Sequence, residues 1–134
     1  MRKKLFAFTI NTLDQAENII LESKIYKNTP ILYLKNYLLK GFGSEFVITF
    51  RDTLTSKFGR SSFKLFVDCG FDNGLTINLI TKKIDFIKVR GSSIIYKKLK
   101  NIADKNRVLL NPSFNIVDCR KRINIDAKLK KIYF

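Results

Sequence analysis

The sequence predicts a small α/β domain built on a mostly parallel sheet. The chain has 134 residues, 46% of them hydrophobic, which is the size of one ordinary domain with enough apolar side chains for a core. Short apolar runs alternate with segments whose apolar residues recur every three to four positions, a pattern typical of βα units. We expect about five strands and four helices, arranged as a half-barrel-like sheet or an open three-layer sandwich, followed by a basic C-terminal segment.

The first half of the chain predicts two βα units. The apolar run at residues 5–10 is interpreted as a strand, and the helical spacing of apolar residues at 13–26 predicts the first helix. A second buried strand is predicted at residues 31–34. It is followed by an amphipathic helix at 44–58, which Gly59 is well placed to end.

The second half continues the alternation. Strands are predicted at residues 65–67, 86–89 and 108–110, with helices at 72–83 and 94–105 between them. Residues 1–114 are therefore expected to form the α/β domain. Residues 115–134 have a different character, with Ile and Val loosely alternating with charged residues, and are expected to add an edge strand, a short helix or a basic tail to the same domain.

Composition excludes several classes of protein. No apolar run approaches the ~20 residues of a membrane-spanning helix, so a cytoplasmic protein with no membrane partner is expected. The chain has no His, and Cys69 and Cys119 lie too far apart in sequence to form a metal-ligand pattern. We therefore expect no metal and no cofactor.

The net charge of +15 is the strongest compositional feature. It allows a nucleic-acid-associated protein that uses Arg120, Arg122, Lys128, Lys130 and Lys131 near the C-terminus. Lys outnumbers Arg, however, and Lys is the weaker phosphate-reading residue. Lys, Ile, Asn and Phe are also the residues favoured by AT-rich codons, so genome composition is a second explanation of the basic excess, and nucleic-acid binding is the alternative rather than the leading interpretation.

Parallel α/β sheets bind ligands beyond the carboxyl ends of their strands, where loops and helix N-termini converge. The best local candidate is Arg90-Gly91-Ser92-Ser93, which follows a predicted strand and precedes a helix. Free N–H groups at a helix N-terminus and the Arg90 guanidinium suit a phosphate or carboxylate. The same residues also form an ordinary strand-to-helix turn and cap.

Asp68-Cys69-Gly70 follows the preceding strand. Asp68 could contact a polar group of a ligand or act as a base, and Cys69 could be a reactive thiol; both are candidates for catalysis. Without His, the standard nucleophilic triads are excluded, so an enzyme is not the favoured interpretation.

Residues 64–110 resemble one part of the class II fructose-bisphosphate aldolases and similar (β/α) barrels. The resemblance lies in the segments Leu-Phe-Val-Asp-Cys-Gly at 65–70 and Ile-Lys-Val-Arg-Gly-Ser at 87–92. The resemblance implies a barrel-like fold, with Asp68 at the family's catalytic Asp and Cys69 in place of a zinc-binding His. The other zinc-binding His residues have no counterpart, so zinc aldolase chemistry is not implied. The chain is also similar to small bacterial α/β proteins with the same strand pattern.

The leading hypothesis is thus an α/β domain that binds a small anionic metabolite at the carboxyl edge of the sheet. Arg90 to Ser93 would hold the anion, and Asp68 would contact a polar group. The alternatives are nucleic-acid binding through the C-terminal cations and a structural or interaction subunit. Since five strands make only about half a barrel, a homo-oligomer is also expected.

Overall fold

The computed structural model describes residues 5–121 and 125–133, which form a six-stranded sheet and five α-helices. The strands are β1 (Phe6–Thr9), β2 (Ile31–Leu34), β3 (Lys64–Gly70), β4 (Phe86–Val89), β5 (Leu109–Leu110) and β6 (Asn115–Asp118). The helices are α1 (Leu13–Ile25), α2 (Gly43–Phe58), α3 (Asn73–Thr81), α4 (Ser93–Lys105) and α5 (Ile125–Tyr133). No helix in these ranges is long and apolar enough to cross a membrane.

Short polar side chains start three of the helices. The Thr12 hydroxyl accepts a hydrogen bond from the Gln15 backbone N–H at 3.1 Å, and the Gln15 side chain reaches back to the Thr12 N–H, which completes a capping box. The Asp72 side chain accepts a hydrogen bond from the Leu75 N–H at the start of α3, and the Ser92 side chain accepts one from the Ile95 N–H at the start of α4. These caps satisfy N–H groups that the first helical turn leaves unpaired.

All strands are parallel, in the order β5-β4-β3-β2-β1-β6. From β1 to β5 the chain adds each new strand on the same side of the last. Because crossover connections are right-handed, α1 to α4 must then lie on one face of the sheet. Of the two arrangements expected from the sequence, the protein therefore has the half-barrel-like one, with two layers rather than three.

The core confirms this arrangement. The larger cluster of buried side chains combines one face of the strands, including Phe8, Leu32 and Val67, with residues from all five helices. The opposite face carries a smaller cluster of Ala7, Ile31, Tyr33 and Phe66, to which no helix contributes.

Beyond the five strands and four helices expected for residues 1–114, the C-terminal segment adds an edge strand and a helix, which are two of the alternatives expected for it. Residues 115–118 pair with β1 as the edge strand β6, and α5 packs on α1, where the Tyr133 and Tyr26 rings lie 5.4 Å apart. The strand is difficult to recognise from sequence because an edge strand buries little: Asn115, Ile116 and Asp118 are all exposed.

The sheet is curved. β5 and β6 lie at its opposite ends, separated by four strands, which in a flat sheet is a distance of about 24 Å. Residues 111–114 connect them, and this length of chain spans at most about 18 Å. The sheet must therefore bend towards the connection, so residues 111–114 cross its concave face. We call these residues the crossing segment.

Candidate functional site

The concave face of the sheet and the crossing segment enclose an open cavity of about 540 Å³. Strands β2, β3, β4 and β6 all contribute to its wall. The lining residues are Tyr33, Lys35, Phe66, Asp68, Lys88, Val89, Arg90, Asn111, Pro112, Ser113, Phe114 and Ile116. The cavity therefore lies towards the carboxyl ends of the strands, where the sequence placed the ligand site.

Aromatic rings form the inner end of the cavity. Tyr33 and Phe66 are paired in register on neighbouring strands and stack with ring centroids 4.4 Å apart. Phe114 of the crossing segment meets Phe66 and Phe86 edge to face, at 5.5 and 5.0 Å. This packing holds the crossing segment against the sheet and gives the cavity a fixed apolar wall.

Asp68 is the acidic group of the cavity wall, and its side chain is held in place by its own turn. Its carboxylate accepts a hydrogen bond from the Gly70 N–H at 3.0 Å, and its carbonyl oxygen accepts one from the Asn36 side-chain amide at 3.2 Å. Gly70 has a φ of +57°, a left-handed conformation that glycine adopts without strain. Asp68 is only 7% exposed.

Three cations share the cavity with this one carboxylate. Lys88 is the register partner of Asp68 on β4, Arg90 follows two residues later, and Lys35 follows β2. None of the three forms an ion pair in the described ranges, because no carboxylate oxygen there lies within 4 Å of their side-chain nitrogens. The cavity wall therefore carries a net charge of about +2 that the protein itself does not neutralise.

The hydroxyl of Tyr33 remains protonated in this setting. Burial raises the pKa of Tyr33 to about 12, and the negative charge of Asp68 adds to the rise, while Arg90 opposes it. At neutral pH the phenol therefore keeps its proton and can donate a hydrogen bond either to Asp68 or to a group in the cavity.

The segment from Arg90 to Ser93 is split between two roles. Arg90 lines the cavity and also a second, shallower depression of about 630 Å³, which contains Gly91 and Ser93. The Ser92 hydroxyl accepts a hydrogen bond from the Ile95 N–H at 3.3 Å, so this side chain serves as the cap of α4. The structure brings Arg90 and Asp68 to one cavity, and places Gly91 and Ser93 beside it.

Cys69, the other catalytic candidate, points to the opposite face of the sheet. Its side chain is fully buried in the core beneath the helices. Burial raises the pKa of the thiol to about 12, so the reactive thiolate does not form at neutral pH. Cys119 is also buried in this core, and both cysteines are free.

The C-terminal cations do not form one free patch. Arg120 makes a two-pronged ion pair with Asp118, with bonds of 2.7 and 2.9 Å, and Lys128 donates to the Asp118 carbonyl oxygen at 3.0 Å. Lys130 and Lys131 are exposed on α5. Arg122 lies outside the described residues.

Two parts of the cavity are not identified by the sequence analysis. Lys88 lies within a predicted apolar strand. Side chains alternate between the two faces of a strand, so a lysine between two apolar residues indicates that one face of this strand is polar, and this is the signal that could have identified Lys88. The crossing segment begins where Asn111-Pro112 ends a predicted strand, and no local pattern shows which face it covers. Among the described residues, no group of three potential His, Cys, Asp or Glu ligands could hold a metal ion.

Comparison with known proteins supports the fold class only. No protein-family model matches the sequence, and no curated protein matches it significantly. Among solved structures, the chain is similar to a putative fructose-1,6-bisphosphate aldolase from Coccidioides immitis, with a TM-score of 0.61 and 13% sequence identity. The match covers 80% of this chain but 44% of the aldolase, so the chain spans less than half of that protein's length. The α/β fold expected from the sequence is confirmed, as is its likeness to part of an aldolase structure.

Proposed function

We propose that this protein binds a small anionic metabolite in the cavity between the concave face of the sheet and the crossing segment. The observation that carries the proposal is the convergence of Lys35, Lys88 and Arg90 on one cavity with a single carboxylate. Unpaired cations in a partly enclosed cavity lower the free energy of a bound anion more than exposed cations do, because solvent screens them less.

The remaining polar groups suit a ligand that carries hydroxyl groups as well as an anionic group. Asp68 can accept a hydrogen bond and Tyr33 can donate one, and both lie next to the cations. Arg90, between the cavity and the Gly91–Ser93 depression, would contact the phosphate or carboxylate. The proposed function is therefore binding, and no reaction is assigned to Asp68.

A thermal-shift experiment tests this proposal. Inorganic phosphate, a phosphorylated sugar and a dicarboxylate are added at low and moderate salt, because a ligand at one hundred times its Kd stabilises the folded state by about 2.7 kcal/mol. We expect one of these anions to raise the melting temperature, and Arg90→Ala to abolish the rise. Lys98→Ala, which removes one exposed cation from the outer face of α4, is the matched control and should retain it.

Two results would reject the proposal. One is a shift of equal size in Arg90→Ala and the unaltered protein, which would place the anion elsewhere. The other is the absence of a shift with every anion tested at concentrations that saturate ordinary metabolite sites.

A further inference from the structure

The loops at the carboxyl edge of the sheet expose four bulky apolar side chains. Tyr37 and Phe42 follow β2, Phe71 follows β3, and Ile94 follows β4; their exposed fractions are 46%, 69%, 72% and 67%. We call these four residues the carboxyl-edge strip. Exposed apolar residues scattered singly are ordinary, but several at one edge of a domain indicate a surface that contacts something else.

The loops that carry Phe42, Phe71 and Ile94 are neighbours along the edge. Phe71 lines a depression together with Gly41 and Gly43, which flank Phe42. Phe71 also lines the neighbouring depression together with Gly91 and Ser93, which precede Ile94. The apolar side chains of three separate loops thus share one side of the molecule.

Cations surround the strip. Lys40 lies beside Phe42 and Phe71, Arg90 lies beside Phe71, and Lys97 is exposed one turn after Ser93 on α4. Two acids are also exposed near it, Asp72 and Glu45, and the Asp72 carboxylate is already engaged in capping α3. The cations around the strip belong to a chain whose overall charge is +15.

The expectation of no membrane partner rests on the lack of a membrane-spanning segment and does not concern binding to a membrane surface. We propose that the carboxyl-edge strip docks on an anionic lipid surface. Apolar side chains inserted among headgroups, with Lys and Arg attracted to anionic lipids, are the two components of reversible membrane-surface binding. Protein–protein interfaces, in contrast, are depleted in Lys. The other exposed apolar residues of the sheet, Leu109 and Ile116, lie on β5 and β6, so they belong to the open sheet edges and not to this surface.

The absence of Trp from the chain allows a direct test. Phe71→Trp introduces a single fluorophore in the strip. Ile25→Trp introduces one at a similarly open position at the C-terminal end of α1, where the chain has returned to the edge of the sheet at which β2 begins. Phosphatidylcholine vesicles with and without phosphatidylserine are then added. We expect a blue shift of the emission from the Phe71→Trp protein alone, only with phosphatidylserine present, and a weaker one at high salt.

A matched pair of substitutions measures the contribution of the strip. Ile94 and Ile25 are both 67% exposed and both lie at a helix end. Ile94→Ser should reduce co-sedimentation with the anionic vesicles about tenfold, since an inserted isoleucine loses its apolar contact with the lipid. Ile25→Ser should leave it unchanged.

Several outcomes would overturn the proposal. They are equal binding to neutral vesicles, no binding to either kind, and binding that Ile94→Ser and Ile25→Ser reduce equally. A stable dimer that dissociates on Phe71→Ser while vesicles are not bound would instead assign the strip to a second copy of the chain. Arg90 contributes to both sites, but Ile94 does not line the cavity, so the comparison of Ile94→Ser with Ile25→Ser tests the strip alone and the two proposals fail separately.

Discussion

Asn111 offers the sharpest test of the proposed site, because it affects both the cavity and the fold. It is the first residue of the crossing segment and has a left-handed backbone conformation, with φ of +50°. Its side-chain oxygen accepts a hydrogen bond from the Val89 N–H at 2.8 Å, and its own N–H donates to the Ile87 carbonyl oxygen at 2.8 Å. The substitution Asn111→Asp keeps the shape and this acceptor oxygen, and adds a negative charge to the cavity wall.

The expected effects of Asn111→Asp on stability and on binding differ in size. Asp tolerates the left-handed conformation nearly as well as Asn, so the free energy of unfolding should change by less than about 1 kcal/mol. The new carboxylate lowers the net charge of the cavity wall from about +2 to about +1. At the effective dielectric of a partly exposed site, one unit charge several ångströms from an anion is worth about 1–2 kcal/mol, or about tenfold in Kd.

The assay combines chemical denaturation with titration of the anion that gives the largest thermal shift. Asn111→Ala is the comparison variant, because it adds no charge but loses the Val89 hydrogen bond and strains the backbone. Together these changes should cost about 2–4 kcal/mol of stability. If Asn111→Asp binds the anion as tightly as the unaltered protein while remaining folded, the anion is not bound in this cavity.

Two further predictions concern stability. Asp85→Ala should lower the free energy of unfolding, measured by urea denaturation, by about 2 kcal/mol. The reason is that the Asp85 carboxylate accepts hydrogen bonds from the Arg60 guanidinium at 2.6 Å and from the buried Leu65 N–H at 2.9 Å. A decrease below about 0.5 kcal/mol would contradict this. Asp118→Asn should reduce the loss of stability in acid. Hydrogen bonds from Arg120 lower the pKa of the Asp118 carboxyl in the folded protein. The carboxylate therefore adds to the free energy of unfolding above its unfolded-state pKa of about 3.9, and this addition is lost as the pH falls from there towards the lower folded-state pKa. Urea denaturation at neutral and acidic pH measures this, and identical acid profiles for both proteins would refute it.

The sequence predicts the layout of the sheet well because each βα unit carries its own local signals. Apolar runs at strand spacing, the caps at Thr12, Asp72 and Ser92, and the glycine after α2 all act within a few residues of one another. The carboxyl-edge rule then brings Asp68 and Arg90 to one place, since parallel strands end at the same edge. Predicting that part of the site requires only the strand order.

The parts that could not be predicted depend on residues far apart in the chain. The sequence offers an edge strand as one of three alternatives for residues 115–134, but it does not show that this strand pairs with β1, more than one hundred positions earlier. Lys88 faces the cavity only because the crossing segment covers that side of the sheet. One local pairing is also missed: composition counts the charge of Arg120 as free, whereas it is paired with Asp118 two residues away, and the sequence does not show which of the cations Arg120, Lys121 and Arg122 that carboxylate pairs with.

A half-barrel leaves one face of its sheet without helices, and in the part of the chain that the structure describes four residues, 111–114, cross that face. Phe114 supplies the apolar contact that a full barrel would obtain from opposite strands, and Asn111 fixes the start of the segment to β4. The cavity exists because this cover is short: it starts at Asn111 beside the carboxyl end of β4 and leaves Lys35, Lys88 and Arg90 on the wall of an open cavity. The same hydrogen bonds and ring contacts therefore determine both the stability of the concave face and the shape of the site. A bound anion should stabilise the crossing segment as well as the cations, so hydrogen exchange at the Val89 amide should slow when the anion is added.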